Sequence, residues 1–597
     1  MDRLFRRCRR LARTIRAFYS GTNGLSDKGV DVMVRRDSAM GHRGRRAAAG
    51  AAAVCAVLAV GLPVAAATST DVQANSPQVA NDPTSDTTAM FPTNKQNEPT
   101  IAVSPVSANL IAGSNDEQEQ PVCGAEIRGT DDSDCSFFPG VGTDGVYTSA
   151  DGGQTWVNRG LLDDQPGWQA SPLVSDGDPV IVYGPHYDPQ TKTFSASVFD
   201  AYYQSLASYK PGSQPGNQAP EFIVVSRSSD NGLAWTGPTV IADGHGYTFN
   251  DKNAMWADKN PSSPFYGRVY SSWTQFRGIP GAAEPVMTSF SADGGRTWST
   301  PKQLSGASNN AITGGRQGSA VRTDGHGKVY VTWEDGGNQV YSTSTDGGKS
   351  YTRPAAIGPV ADLVDPIPGS NFRNDSFLSL ASDPAPNSTT LYAAWVNRTV
   401  ADGSAAELVV YRTTGVGWSK VATPFTGSIA SGGVPFFQGL DVAAGGRVDI
   451  GWQALTAIDP TTFGTGNAAI DSYYASSPAG GAAFGAAVKV TTVSSDPAAS
   501  AQNNLQRQFW GDYNTLVSKD GKAWFIYTDS RHGAGCPEVD EYQEFLVDTG
   551  AIIEGEEREA DRQDGKQAPE DGEKPAPPTD CPSQFGNTDV FVSVITA

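Results

Sequence analysis

Carboxylate, guanidinium and amide side chains recur in this sequence beside short apolar segments that have the pattern of β-strands. Such a mixture could bind a polar, anionic or sugar-like ligand. The positions lie at the start of one strand or just after the next: Asn97, Glu98, Asp116, Glu117, Asp178, Asp200, Asp251, Gln275, Arg277, Arg316, Glu334, Asp335, Arg373, Asp375, Asn397, Arg398, Gln438, Gln453, Arg507, Asp512, Tyr513, Asp529 and Arg531. For any one of them, the alternative is a cap on a strand end.

The composition favours a turn-rich β protein as the scaffold for these residues. The chain has 597 residues with 66 Gly and 39 Pro, and only 18% are charged. We find no sustained helix-period pattern. The net charge of −20 argues against nucleic-acid binding, because few cations are available to neutralise phosphates.

The N-terminal region has the order of an export signal. Residues 1–46 carry 12 arginines and one lysine against four aspartates, and residues 47–67 are apolar and end in three alanines. We expect residues 1–67 to be a leader and the mature chain to begin near Thr68, secreted and associated with the cell wall, with no membrane contact after cleavage. A membrane anchor is the alternative reading. Sec or twin-arginine export and the true start codon stay open.

Four cysteines follow the leader, and their spacing matches no zinc site. The pairing of neighbours joins Cys123 to Cys135 and Cys536 to Cys581, as an oxidising compartment would allow. Residues 538–580 contain 15 acidic and four basic residues, which predicts a solvated insertion held at its base. We expect no metal ion and no cofactor.

A repeated turn is the strongest pattern in the sequence. The pattern Ser-x-Asp-x-Gly-x-x-aromatic occurs at residues 149–156, 228–235, 291–298 and 344–351. Each copy lies between two strand-like segments, and its Asp and Gly suit a hairpin in which the carboxylate accepts turn N–H groups.

These repeats resemble the Asp-box, or BNR, repeat of the sialidase superfamily. The resemblance implies an all-β propeller of four-stranded blades, which residues 97–597 would form. Seven first strands begin near Glu98, Asp178, Asn253, Gly318, Asp375, Gly439 and Tyr513. We therefore predict seven blades, with six, as in the enzymatic sialidases, as the alternative. Residues 68–96 form the N-terminal segment, and a strand within residues 70–92 should close the ring.

The resemblance also implies a catalytic arrangement on the face opposite the repeated turns. Sialidases bind a substrate carboxylate with three arginines and attack the sugar with a tyrosine that a glutamate activates. Tyr513 is similar to the nucleophile, Asp116 to the acid/base, and Glu334 is the candidate glutamate. Arg316, Arg373, Arg507, Arg531 and Asp512 are the candidate substrate-binding residues.

The sequence departs from the family pattern in its first repeat. Asn97-Glu98-Pro99 stands where the family has Arg-Ile-Pro, so one clamp arginine is absent. Three functions stay open: an exo-acting sialidase-like glycoside hydrolase, a non-catalytic propeller that binds glycans or other cell-surface ligands, and other chemistry such as a lyase using Tyr513 or His532. We expect a monomer that binds a carbohydrate or glycoconjugate.

Overall fold

β-Strands make up nearly all regular structure in the part of the chain that the structure describes. The computed structural model describes residues 67–79, 89–91, 93–119, 123–124, 141–213, 221–244, 248–277, 283–306, 317–370, 372–457, 468–500, 509–536 and 581–597. One short 3₁₀ helix spans Pro497–Ala499. Within these ranges, no helix has the length and apolar character needed to cross a membrane.

The strands form seven antiparallel sheets that succeed one another along the chain, preceded by β1 (Thr68–Gln73) and β2 (Ala89–Phe91). The first sheet contains β3 (Gln96–Val103), β4 (Leu110–Asp116), β6 (Asp144–Ser149) and β7 (Val157–Leu161), and β5 (Cys123–Gly124) pairs with β2. The second contains β8 (Leu173–Ser175), β9 (Val180–Asp188), β10 (Thr193–Tyr209), β11 (Phe222–Ser228) and β12 (Thr239–Ala242). The third contains β13 (Thr248–Ala257), β14 (Val269–Arg277), β15 (Val286–Ser291) and β16 (Lys302–Gln303).

The remaining four sheets repeat the same four-stranded order. The fourth contains β17 (Ala320–Thr323), β18 (Val329–Glu334), β19 (Asn338–Ser344) and β20 (Ala355–Pro359). The fifth contains β21 (Ser379–Ser382), β22 (Leu391–Arg398), β23 (Ala405–Thr413) and β24 (Ser419–Ser428), and the sixth β25 (Val434–Val442), β26 (Val448–Ala457), β27 (Ala468–Ser477) and β28 (Val488–Lys489). The seventh contains β29 (Thr515–Lys519), β30 (Lys522–Asp529) and β31 (Asp589–Thr596).

The N-terminal strand β1 completes the seventh sheet. It pairs with β31 in an antiparallel register that runs from Thr68 opposite Thr596 to Gln73 opposite Phe591. The prediction of seven blades closed by an N-terminal strand is confirmed, and six blades are excluded. The strand begins two residues before the predicted range. Its pairing covers an edge that would otherwise expose free N–H and C=O groups.

Repeated tryptophans pack the sheets against one another. Trp273, Trp333, Trp395 and Trp452 occupy the same place in the second strand of four successive blades, and all four are fully buried. Each blade must bury the same face of its second strand. The short pattern of small and apolar residues before each tryptophan therefore repeats.

The four repeated turns connect the last two strands of each of the first four blades. In the third copy, Asp293 accepts hydrogen bonds from the backbone N–H groups of Arg296 and Thr297, at 3.1 and 2.9 Å. The Ser291 hydroxyl donates to Asp293 at 2.8 Å and accepts from the Gly295 N–H at 2.8 Å. Gly295 has φ 75°, a conformation that few other residues adopt.

One predicted disulfide is present in the described part of the chain. Cys536 and Cys581 are bonded, with their Cα atoms 5.5 Å apart. The second predicted pairing involves Cys135, which lies outside the described residues, as do the leader before residue 67 and the acidic insertion.

Candidate functional site

The first strands of the seven blades line a central channel. Its cavity has a volume of about 470 Å³ and reaches from Lys252 and Tyr513 at one end to Asp383 and Asp520 at the other. We call the end beside the repeated turns the turn face and the opposite end the mouth. The starts of the first strands lie at the mouth because alternate connections of an up-and-down blade fall on opposite faces.

The backbone has an unusual conformation at one position of several first strands. Glu98, Asp178, Lys252 and Phe437 have φ values of 52°, 55°, 51° and 44°, and Gly318 has 66°. Each of them stands two residues before the residue that resumes regular pairing with the second strand. Left-handed backbone is uncommon for residues other than glycine and concentrates at functional sites.

Five charged side chains meet at the mouth, and we call them the mouth cluster: Glu98, Asp178, Lys252, Arg373 and Asp512. The Lys252 ammonium contacts Asp512 directly and lies 3.9 Å from Glu98 and 3.8 Å from Asp178. Arg373 binds Asp512 through two hydrogen bonds, Nε to Oδ1 at 2.7 Å and Nη2 to Oδ2 at 2.6 Å. Its Nη2 is also 3.8 Å from Glu98.

The cluster moves the pKa values of its two central carboxyl groups in opposite directions. Burial raises the pKa of Glu98 well above its usual range, and Lys252 only partly offsets this effect. Burial alone would also raise the pKa of Asp512, but Arg373 and Lys252 hold it well below its usual range. The site therefore favours a protonated Glu98 beside an ionised Asp512, an arrangement that can supply both a proton donor and a fixed negative charge.

Tyr513 follows Asp512 directly and lines the channel. Its hydroxyl is buried and has no hydrogen-bond partner in the described residues. Burial raises its pKa well above the usual range, and the carboxylates of Asp178, Glu98 and Asp512 raise it further. The hydroxyl is therefore neutral at rest and free to bond with a group that enters the mouth.

The amide side chain of Asn115 fixes the position of Glu98 and of the backbone at Asp178. Asn115 donates to Asn97 at 3.0 Å and to Glu98 at 2.9 Å, and its oxygen accepts the backbone N–H of Asp178 at 3.0 Å. Several buried polar atoms around the mouth have no hydrogen-bond partner in the described residues: Asn97 Nδ2, Glu98 Oε1, Asp178 Oδ2, Asn253 Oδ1 and Tyr513 Oη. Buried polar groups are seldom left unpaired, so this concentration points to a place for water or a ligand.

Asp116, the predicted acid/base, lies behind this cluster. It is 2% exposed and accepts hydrogen bonds from Gln96 and Tyr147, each at 3.0 Å. Burial raises its pKa. Its neighbour Asn115 contacts Glu98 instead, because successive residues of β4 point to opposite sides of the sheet.

The predicted substrate-binding residues do not all converge. Arg373 and Asp512 belong to the mouth cluster, whereas Arg531 binds Asp529 and Asp71 and lies 3.9 Å from the centre of the Phe591 ring. Arg531 thus fastens β1 to the seventh blade. Glu334 ends β18 opposite Gln339. Arg316 and Arg507 lie outside the described residues.

Sequence reasoning missed Lys252. Four of the five cluster residues are among the polar positions that the sequence singles out, but the lysine that joins them is not. The signal was present, because Lys252 occupies the position in the third repeat that Glu98 and Asp178 occupy in the first two. Within the described residues, no group of three or more His, Cys, Asp or Glu side chains is placed to hold a metal ion.

Comparisons with known proteins concern the fold. No model of a protein family matches the chain, and no curated protein matches it. Similar solved structures include a Dyadobacter fermentans protein of unknown function, at 14% identity over 65% of this chain and 94% of that one, with a TM-score of 0.36. A Penicillium chrysogenum alpha-L-arabinanase complexed with arabinobiose is 15% identical over 64% and 94%, with a TM-score of 0.39. A leech intramolecular trans-sialidase is 12% identical over 64% and 67%, with a TM-score of 0.36.

Proposed function

We propose that this propeller is a carbohydrate-active protein, and that the mouth of its channel hydrolyses a glycosidic bond. The observation that carries the proposal is the hydroxyl of Tyr513, which has no partner in the described residues and lies among buried carboxyl groups whose pKa values are shifted in opposite directions. Glycoside hydrolysis needs a proton donor for the leaving oxygen and a group that attacks the anomeric carbon. The cluster offers a candidate for each role.

In this proposal, Tyr513 attacks the anomeric carbon while Asp178 accepts its proton. Asp178 is the carboxylate with the largest electrostatic effect on Tyr513, and its Oδ2 lies 3.8 Å from the Lys252 ammonium. The glycosidic C–O bond breaks, its electron pair stays on the leaving oxygen, and Glu98 protonates that oxygen. Water then attacks the anomeric carbon and displaces the tyrosine. The proton that the water loses goes to Glu98, and Asp178 returns a proton to the Tyr513 oxygen.

The charges at the mouth favour a neutral glycan over an acidic one. Arg373 and Lys252, the two cations of the cluster, are already bound to Asp512. No described arginine is left beside Tyr513 to hold a substrate carboxylate. The carboxylates of Asp178 and Asp512 would instead repel one.

Binding without catalysis is the second candidate function. This function is supported by the ion pairs within the mouth cluster. The Glu98 side chain is only 2% exposed, and Arg373 is paired with Asp512 rather than left free for a substrate. A glycan could then lie across the half-buried Arg373 and Tyr513 without reaching Glu98.

Substitution of Tyr513 by Phe separates the two candidates. The lost hydroxyl has no partner in the described residues, so Tyr513→Phe should fold normally. We expect the wild-type protein to release fluorophore from a neutral member of a panel of aryl glycosides that also contains a sialoside, and the variant to lose at least 100-fold in kcat. Tyr187→Phe is the matched control and should keep full activity, because the Tyr187 ring lies on the turn face, with its centre 5.3 Å from the guanidinium carbon of Arg296 in the third repeated turn.

The possible outcomes decide between hydrolysis and binding. Equal rates in the wild type and Tyr513→Phe would discard the tyrosine mechanism. Absence of release from every glycoside, together with calorimetric binding of a neutral oligosaccharide that Tyr513→Phe weakens, would establish the binding function instead.

Export of the chain is a further proposal. The Cys536–Cys581 disulfide supports it, because such bonds persist in oxidising compartments. Protein recovered from the culture medium should begin near Thr68 when its N-terminus is sequenced, and a chain that keeps residues 1–67 in the cell would contradict this.

A further inference from the structure

The turn-face half of the channel contains a second group of charged residues, separate from the mouth cluster. Trp256, Arg322 and Asp441 stand at corresponding positions of β13, β17 and β25, four residues beyond the left-handed position at the mouth. Lys259 follows β13. All four residues line the same cavity.

The two cations of this group lie against one aromatic ring. The Lys259 ammonium is 4.7 Å from the centre of the Trp256 indole, and the Arg322 guanidinium carbon is 4.4 Å from it. The indole N–H donates to Thr323 at 3.0 Å, which fixes the ring. Cation–π contacts position the cations but satisfy none of their N–H groups.

Neither cation has an ion-pair partner within the described residues. Arg322 donates one hydrogen bond, from Nη1 to the carbonyl of Val321 at 2.8 Å, and its buried Nε has no partner there. Burial lowers the pKa of Arg322 to about 10, and burial and the Arg322 charge lower that of Lys259, since Asp441 compensates only in part. Both side chains are half-buried where they line the cavity.

The carboxylates nearby form no ion pair with either cation in the described residues, although the charge of Asp441 acts on both. Asp441 accepts the backbone N–H of Ser518 at 2.7 Å, and Asp383 accepts from Ala385 N–H and the Ser388 hydroxyl at 3.0 and 2.8 Å. The Asp520 side chain is 79% exposed beside Lys519. The Lys519 ammonium itself is bonded to the carbonyls of Ser104 and Ser107.

We propose that the turn-face half of the channel binds a small oxyanion, a carboxylate or sulfate group, on the side chains of Arg322 and Lys259. The oxyanion would supply the acceptor that the buried Nε of Arg322 lacks and a counter-charge for the Lys259 ammonium, and guanidinium groups bind planar oxyanions well. The indole of Trp256 would close one side of the site. This site is independent of the proposed hydrolysis, because it lies at the other end of the channel.

Calorimetric titration of the purified full chain with sodium sulfate, sodium acetate and sodium glucuronate tests the proposal, in a chloride buffer of constant ionic strength. We expect saturable binding of at least one anion. Arg322→Gln and Lys259→Met should each weaken it at least tenfold, whereas Arg353→Gln, which removes an exposed arginine, should not. Thermal unfolding of every variant checks that it folds.

The anions distinguish the sources of the oxyanion. Tighter binding of glucuronate than of acetate would indicate a sugar acid whose hydroxyls reach Asp441, and tighter binding of sulfate an inorganic ion or a sulfated ligand. Absence of saturable binding by all three anions would overturn the proposal, as would binding that both substitutions leave unchanged.

Discussion

Lys252 is the residue on which the charge balance of the mouth depends. It contacts Asp512 and lies within 4 Å of both Glu98 and Asp178. Burial alone would lower its pKa, but the surrounding carboxylates raise it well above the usual range. A buried cation of this kind contributes chiefly by neutralising charges that would otherwise be left unpaired.

Replacement of Lys252 by Met should therefore destabilise the fold. The substitution leaves buried carboxylates without their shared partner, and we expect a loss of about 3–5 kcal/mol in the free energy of unfolding. Urea titration measures it. Lys420→Met removes a partly exposed ion pair with Glu407 and should cost less than about 1 kcal/mol. Equal losses in the two variants would mean that the mouth cluster has no special role.

The repeated turn is the element that recurs most regularly. In the first four blades, a buried serine hydroxyl accepts the N–H of the second glycine position, at 2.8 or 2.9 Å. The aspartate next to it accepts turn N–H groups from the solvent side. The two side chains therefore have different roles. The serine accepts the buried backbone N–H group, and the aspartate accepts the exposed ones.

Ser291→Ala should consequently cost more stability than its size suggests. The Gly295 N–H would be left buried without an acceptor, so we expect a loss of about 1–3 kcal/mol. The same measurement on Ser195→Ala provides the control, because Ser195 accepts two N–H groups at the exposed register shift of β10, where water can replace it. A loss below about 0.5 kcal/mol for Ser291→Ala would refute the division of roles.

Several carboxyl groups in the described part of the molecule have pKa values that burial raises. Burial raises the pKa of Asp144 to about 8, that of Asp176 to about 7, and those of Asp251 and Asp441 to about 6. Because the fold holds these protons more tightly than the unfolded chain, the stabilisation is complete below about pH 4 and is lost as the pH rises toward 8.

The pH dependence of stability should reflect these groups. Between pH 5 and 8 we expect the free energy of unfolding to fall as the pH rises. Asp144 contributes up to about 1.4 kcal/mol per pH unit over the range in which it is ionised in the unfolded chain but still protonated in the folded protein. Asp144→Asn should make the fall shallower, whereas Asp520→Asn, at an exposed site, should not. The low pKa of Asp512 acts only in more acidic solution, so it does not mask the trend. A flat profile for the wild type would contradict the prediction.

The local repeats determined the fold of this protein. The Ser-x-Asp-x-Gly turns and the small apolar first and second strands act within a few residues, so their pattern could be counted along the chain as seven blades. The register of the strands also indicated which ends share the mouth, and Glu98, Asp178, Arg373, Asp512 and Tyr513 could be assigned to it.

Tertiary structure alone decided how those residues pair. Arg373 and Asp512 are 139 residues apart and Lys252 and Asp512 are 260 apart, and ring closure brings them into contact. Side-chain direction also depends on the pleat and on the left-handed residues at the mouth, which place Asn115 beside Glu98 and turn Asp116 toward Tyr147. Periodicity reports local backbone geometry, whereas charge partners depend on distances across the ring, so the fold was predictable and the arrangement of the site was not.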